Sequence, residues 1–243
     1  ERSADNTSFT SVSGATGNNY TVTNLTSSWY YRAKVKSGAC DSVYSNSVLV
    51  TVDAVPNGGT LNGGKAVCTG TNFANLLLNG TTGTITKWQS STTSGFTSSV
   101  NDIINTTAAY TANNLESTTY YRVVVVNGTC TVYSTTATVT VSPLTVVGTA
   151  SGDTTVCASG SSVTVRLTGS VGSIQWQSST DSLNFSAISG ATSAIYSTTN
   201  LTATTYYRAS VKSGVCDSLL TNTVTVAVNP ASVSGSISGA ATV

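Results

Sequence analysis

The triplet Tyr-Tyr-Arg occurs three times, at Tyr30-Tyr31-Arg32, Tyr120-Tyr121-Arg122 and Tyr206-Tyr207-Arg208. Each time a cysteine stands nine positions after the second tyrosine: Cys40, Cys130 and Cys216. A chain that repeats itself at this spacing folds as a row of small units that pack on their neighbours, without one central core. Residues 1–53 also align with residues 177–229 at a constant offset of 176 without a gap, matching Phe9 with Phe185, Tyr20 with Tyr196 and Asn46 with Asn222. In that register the counterpart of Trp176 falls before Glu1 and that of Cys157 after Val243. The expected organisation is the C-terminal part of one module over 1–55, complete modules over 56–143 and 144–230, and the first strand of another over 231–243, an excerpt of a longer array. Each complete module is long enough to bury a core of its own.

Formal net charge is +1 and only 8% of residues are charged, so neither a basic field for nucleic acid nor an acidic one for cations is present. No apolar run approaches the length of a membrane-spanning helix, and no direct membrane insertion is expected of this region. The five cysteines fall into order once the repeat is recognised. Cys68 pairs by position with Cys130 and Cys157 with Cys216, which leaves Cys40 to a cysteine outside the sequence. Each bridge would close a loop of about 60 residues and stabilise by about 4 kcal/mol in the chain-entropy model, in an oxidising compartment outside the cytoplasm. Free buried thiols are the alternative. A zinc site is the poorer reading still, because there is no histidine and no Cys-x-x-Cys pair.

Apolar and polar residues alternate along short segments bounded by turn residues, at 162–168, 172–179, 185–188, 194–199, 206–212 and 221–228 of the third module. Tyr207, Ala209 and Val211 alternate with Tyr206, Arg208 and Ser210, which predicts antiparallel sheets with one face buried. About seven such strands in under 90 residues predict an all-β protein of tandem β-sandwiches, Ig-like or fibronectin-III-like. Trp88 and Trp176 hold the place of the core tryptophan on the third strand, in Lys87-Trp88-Gln89 and Gln175-Trp176-Gln177. Leu25, Leu115 and Leu201 precede Tyr31, Tyr121 and Tyr207 by six residues, the spacing of a tyrosine corner, in which the hydroxyl bonds the preceding loop. Ser-Gly and Asn-Gly turns before Cys40, Cys130 and Cys216 place these cysteines beyond the strand, so the bridge is expected to tie a module's beginning to its own last hairpin. Pro56, Pro143 and Pro230 end each module's last strand, with connections too short for a flexible tether.

Catalytic signals are missing. There is no histidine, no close carboxylate pair, no calcium loop and no phosphate-cradling glycine loop, so neither an enzyme nor a cofactor is expected. Arg32, Arg122 and Arg208 recur in register, either as a ligand row or as stems covering apolar surface; the second reading is preferred. Trp29 stands where the other modules have Thr119 and Thr205, either as a ring exposed to stack on sugars or as the filling of a contact between modules; the second reading is preferred. The polar faces are built from serine and threonine, which solubilise weakly. Asp-Ser/Thr-hydrophobic triplets place possible O-glycosylation at Ser42, Thr154, Ser182 and Ser218.

Trp-Gln-Ser-Ser, then Ser189-Gly190-Ala191-Thr192, Asn-Leu-Thr, Thr-Thr-Tyr-Tyr-Arg, Ser-Gly-x-Cys and a final Val-Thr-Val strand together resemble the Ig-like repeats of giant cell-surface adhesins of gliding Bacteroidota, the SprB-type gliding adhesins exported by type 9 secretion. The resemblance spans essentially the whole chain. It implies the structural stalk of an extracellular adhesin filament at the bacterial cell surface, serving adhesion or gliding motility, whose partners are neighbouring repeats of the same chain and possible surface polysaccharide or other filaments. Polysaccharide-binding repeats, or spacers of a secreted polysaccharide-degrading enzyme, are the alternatives. A binder should repeat an aromatic patch in each module, and Trp29 does not recur.

Overall fold

The computed structural model describes residues 1–158 and 162–239, and among them every regular element is a β-strand. The first module contributes β1 (Arg2–Ser3), β2 (Trp29–Tyr31), β3 (Lys34–Val35), β4 (Val43–Tyr44) and β5 (Val48–Val50). The second contains β6 (Thr60–Asn62), β7 (Ala66–Cys68), β8 (Phe73–Asn79), β9 (Thr84–Ser91), β10 (Asn101–Ile103), β11 (Ala109–Asn113), β12 (Thr119–Asn127), β13 (Cys130–Tyr133) and β14 (Ala137–Ser142). The third repeats it with β15 (Thr149–Ser151), β16 (Thr154–Cys157), β17 (Ser162–Thr168), β18 (Ser173–Ser179), β19 (Ser186–Ala187), β20 (Ile195–Thr199), β21 (Thr205–Lys212), β22 (Leu219–Leu220) and β23 (Val224–Asn229).

Both complete modules are two-sheet sandwiches of one topology. In the second, a sheet ordered β11-β8-β6 faces one ordered β10-β9-β12-β14-β7, with β13 added on β12. In the third, β15-β17-β20 faces β16-β23-β21-β18-β19, with β22 on β21. Alternation along the strands fills the space between the sheets. Ala74, Leu76 and Leu78 point inward from β8, and Tyr121, Val123 and Val125 from β12. Val163, Val165 and Leu167 meet Tyr207, Ala209 and Val211 in the same way. Each buried valine or leucine among them contributes about 1.5–3 kcal/mol by burial. Trp88 and Trp176 are fully buried on β9 and β18, and their indole N–H groups donate to Thr107 O (2.9 Å) and Ser193 O (3.0 Å). An indole can lie this deep because its one polar atom has a partner.

A module's first segment passes from one sheet to the other. β6 pairs antiparallel with β8, and β7 then pairs parallel with β14, joining Cys68 to Ser142 in register. β15 and β16 do the same against β17 and β23, joining Cys157 to Asn229. The crossing requires glycine: Gly152 has φ +129°, and a Cβ there would lie 2.8 Å from Thr164 O.

The six segments expected in the third module are all strands, the first of them at Ser162–Thr168 as expected. β15, β16 and β22 were not anticipated, because two to four residues show no alternation to read. Of the strand expected over 231–243, residues 231–239 carry no regular element, and 240–243 lie outside the described residues. Its counterparts β6 and β15 are held by pairing with β8 and β17.

The tyrosine corner also differs from expectation. Tyr121 and Tyr207 are buried, but their rings pack on Tyr110 (5.8 Å between centroids) and Tyr196 (6.0 Å) of the facing sheet. Among the described residues none of the three hydroxyls bonds the preceding loop, and that of Tyr31 is buried without a partner. Burial, with the Tyr110 ring beside it, pushes the Tyr121 phenol up to about 12. In the second module the loop is held by Asn72, whose amide donates to Leu115 O (2.7 Å) and whose oxygen accepts from Leu115 N (3.0 Å).

Candidate functional site

The disulfide lies between modules. Cys68 of the second is bonded to Cys216 of the third, 148 positions away and with Cα atoms 5.1 Å apart, and Cys40, Cys130 and Cys157 are free. This corrects the expected Cys68–Cys130 and Cys157–Cys216 bridges, and the topology gives the reason. β7 runs parallel to the last strand β14 and carries Cys68 to the module's far end, beside Ser142. Cys130 follows the turn after β12 at the opposite end. The two ends are separated by about a strand's length, roughly 30 Å at 3.3 Å per residue, against the 4.4–6.8 Å usual between bridged Cα atoms.

Cys216 reaches its partner because the turn after β21 is seated on the end of the preceding module. The turn is closed by Cys216 N donating to Ser213 O (2.9 Å), and the sulfur lies 3.7 Å from Ser142 O and 3.2 Å from Pro143 O. Thr145 ties it further, its hydroxyl accepting from Ser213 N (3.1 Å) and donating to Asp217 O (2.8 Å). Gly214 has φ +51°, and a Cβ there would collide with the Ser142 side chain.

The joint between the first and second modules uses equivalent residues. Strand register makes Asp53 the counterpart of Ser142, and the turn after β12 sits on it. Thr129 N donates to Asp53 Oδ2 (2.9 Å), Asn127 Nδ2 donates to Ala54 O (2.8 Å), and Cys130 Sγ lies 3.8 Å from Asp53 O. A Cβ on Gly128, at φ +56°, would collide with the Asp53 carboxylate. None of Asp53, Gly128, Ser142, Thr145 and Gly214 stood out in the sequence. The available signal was the recurring Gly two residues before each hairpin cysteine, which reads equally well as an ordinary turn.

The recurring arginines are explained within modules. Arg122 Nε donates to Gln89 Oε1 (2.8 Å) while its guanidinium stacks between Phe96 (4.2 Å) and Tyr133 (3.8 Å). Arg208 makes the same bond to Gln177 (2.8 Å) over Phe185 (3.9 Å). In the first module Glu1 takes the glutamine's place, giving a 2.8 Å ion pair with Arg32, which is flanked by Phe9 and Tyr44. Each cation is therefore spent on its own sheet. Trp29 is half-buried, with the Arg2 guanidinium 4.4 Å above its ring, a contact inside its own module.

Of the four hydroxyls expected as O-glycosylation acceptors, Thr154, Ser182 and Ser218 are exposed and Ser42 is half-buried. In the triplet at Asp181 the carboxylate is already used. It accepts from Asn184 N (2.8 Å), Asn184 Nδ2 (2.7 Å), Ser179 Oγ (2.7 Å) and Leu183 N (2.9 Å), which hold the carboxyl well below its usual range. That aspartate builds a turn. Among the described residues no group of three or more His, Cys, Asp or Glu side chains is placed to hold a metal, and no helix is long and apolar enough to cross a membrane.

The fold is similar to several multi-module structures. One is murine CEACAM1b, at 14% identity and TM-score 0.43, covering 68% of this chain and 96% of that one. Others are the FN1–FN3 domains of chicken CNTN1 (14%, 0.34, 82% and 75%) and the fibronectin(III)-like modules of Clostridium thermocellum CbhA (12%, 0.34, 74% and 100%). Among curated proteins none matches the sequence. A family model described as a domain of unknown function, DUF8696, matches residues 1–54, 57–143 and 146–230. The chain belongs to that family and carries three successive matches to it.

Proposed function

We propose that these modules are the stalk of a filament outside the cell, holding a distal part of the same polypeptide away from the surface. The observation that carries this reading is the Cys68–Cys216 bridge, which ties one module's end covalently to the next. A ligand-binding array has no need of covalently locked joints, whereas a load-bearing rod does. The turn seated on the preceding module at both joints, with a glycine at each contact, supports the same reading. Retention of a disulfide fits a location outside the cytoplasm. With the resemblance to the repeats of Bacteroidota gliding adhesins, the array is read as part of a cell-surface adhesin that serves attachment or gliding and leaves the cell by type 9 secretion.

The test is the mass of the native polypeptide under reducing, denaturing conditions, with the band identified by peptides of this sequence. A mass of hundreds of kilodaltons is expected. A band near 24.7 kDa would contradict the stalk.

A further inference from the structure

We propose that Cys130 and Cys157 are the two halves of the same staple, each bonded to another copy of the module, so that every module is disulfide-linked to both neighbours. The inference rests on the tandem-array reading. Its evidence is the equivalence of three strand ends. At Ser142 the end is complete: Cys68 pairs with it in register, Thr69 N donates to its carbonyl (2.9 Å), and Cys216 of the next module lies on that carbonyl at 3.7 Å. At Asn229 one half is in place. Cys157 pairs with it in register and Ala158 N donates to its carbonyl (2.8 Å), as Thr69 does at Ser142, while the Cys157 thiol is exposed. At Asp53 the other half is in place, with Cys130 Sγ 3.8 Å from the carbonyl and the turn already docked.

Cys157 is thus a strand cysteine awaiting the hairpin cysteine of a following copy. Cys130 is a hairpin cysteine awaiting the strand cysteine of a preceding copy. In each bond two S–H bonds break and one S–S bond forms. The two electrons and two protons pass to an oxidised protein or small-molecule disulfide, which is reduced to two thiols.

Such staples overlap. The one from Cys68 to Cys216 encloses both Cys130 and Cys157, and the ones through those cysteines reach into the modules on either side. The shortest covalent path along the array crosses one staple and then a single segment equivalent to Cys130–Cys157, 27 positions, for every two modules. At about 3.4 Å per extended residue that segment spans roughly 90 Å, against roughly 600 Å for two modules unfolded without staples. A stapled array that loses the fold of every module reaches a total span about six-fold shorter than an unstapled one.

Cleavage before every aspartate puts each cysteine on its own fragment: 5–40, 53–101, 102–152, 153–180 and 181–216. The native polypeptide is recovered with its free thiols blocked, cleaved this way without reduction, and its cross-linked fragments are identified by mass. Fragment 102–152 is expected joined to a strand cysteine of a preceding copy, and fragment 153–180 to the hairpin cysteine of a following copy. Either fragment carrying a blocked thiol, or joined to any other partner, overturns the inference. The mass of the reduced polypeptide is read on the same sample. A small chain would sink the stalk, while the ladder stands or falls on the fragment pairs alone.

Discussion

Residues 1–53 and 177–229 carry the same motifs in one gapless register, yet they do not take the same structure. In the later segment Val211 and Val224 are fully buried; their counterparts Val35 and Val48 are 57% and 59% exposed. The eight-residue β21 corresponds to β2 and β3, of three and two residues, and β20 has no strand counterpart around Tyr20. What differs is the company. β20 pairs with β17 and β21 with β18, and residues 1–53 include no equivalent of β17 or of most of β18.

What depends only on the segment itself is the same in both. Asp5 accepts from Thr7 N and Ser8 N at 2.8 Å, as Asp181 accepts from Leu183 N and Asn184 N, and Asn6 and Ser182 both have φ +62°. The arginine stacks on phenylalanine, and the tyrosine pairs Tyr20–Tyr31 and Tyr196–Tyr207 both stand 6.0 Å apart. Turns and neighbouring contacts follow from the local window. Strand length and burial follow from the partner sheet.

The largest difference between the two regions should appear on reduction. In the chain-entropy model a closed loop of 148 residues stabilises by about 5 kcal/mol. Cys216→Ser, or reductant, should lower the denaturant midpoint of residues 56–230 by a corresponding amount and leave residues 1–53 unchanged. Hydrogen exchange read segment by segment would separate the two.

Next in size is Trp176→Ala, which empties a fully buried site and orphans Ser193 O. A cost of about 3–5 kcal/mol is expected in the third module. Trp29→Ala should cost much less, because Trp29 is only half-buried under Arg2. Similar losses of thermal stability for the two variants would break the comparison.

A smaller contrast concerns one hydroxyl. Thr221 Oγ1 accepts from Ala209 N (2.9 Å) and donates to Asn222 O (2.8 Å) inside the third module; Ser45 Oγ makes the same two bonds with Ala33 N and Asn46 O in the open. Thr221→Val should cost about 1–3 kcal/mol by leaving a buried N–H unpaired, and Ser45→Ala well under 1 kcal/mol, because water replaces the partner. Equal costs in equilibrium unfolding would mean that burial does not separate the segments.

The smallest effect is one that should not differ. The Asp5 carboxyl is held down first by Ser8 N–H, with Ser3 and Thr7, and that of Asp181 first by Asn184 N–H. Both folded values lie below the unfolded one. The contribution to stability is therefore complete above the unfolded carboxyl value, near pH 4, and is lost as pH falls towards the folded one. Carboxyl chemical shifts should show both groups titrating below the usual aspartate range, and a normal midpoint for Asp5 alone would show that the turn needs the complete sandwich.

The same division explains what could be read from the sequence. The period-two alternation of Val163, Val165 and Leu167 marks β17, and the Trp-Gln motif marks β9 and β18, which carry the two buried tryptophans, because these signals lie within a few residues. The disulfide partners are not legible in the sequence because sheet topology decides them. Only the parallel pairing of β7 with β14 carries Cys68 away from Cys130. The joint was missed for a related reason: Asp53 and Ser142 are equivalent by position but not by residue type, and they meet the Gly128 and Gly214 turns only in three dimensions.

The locked joint itself is tested most directly on the 243-residue chain, oxidised, thiol-blocked and cleaved before aspartate without reduction. Fragment 53–101 bonded to fragment 181–216, with Cys130 and Cys157 blocked as free thiols, is the predicted result. Fragment 53–101 bonded to 102–152, and 153–180 to 181–216, would put each bridge inside one module and contradict it.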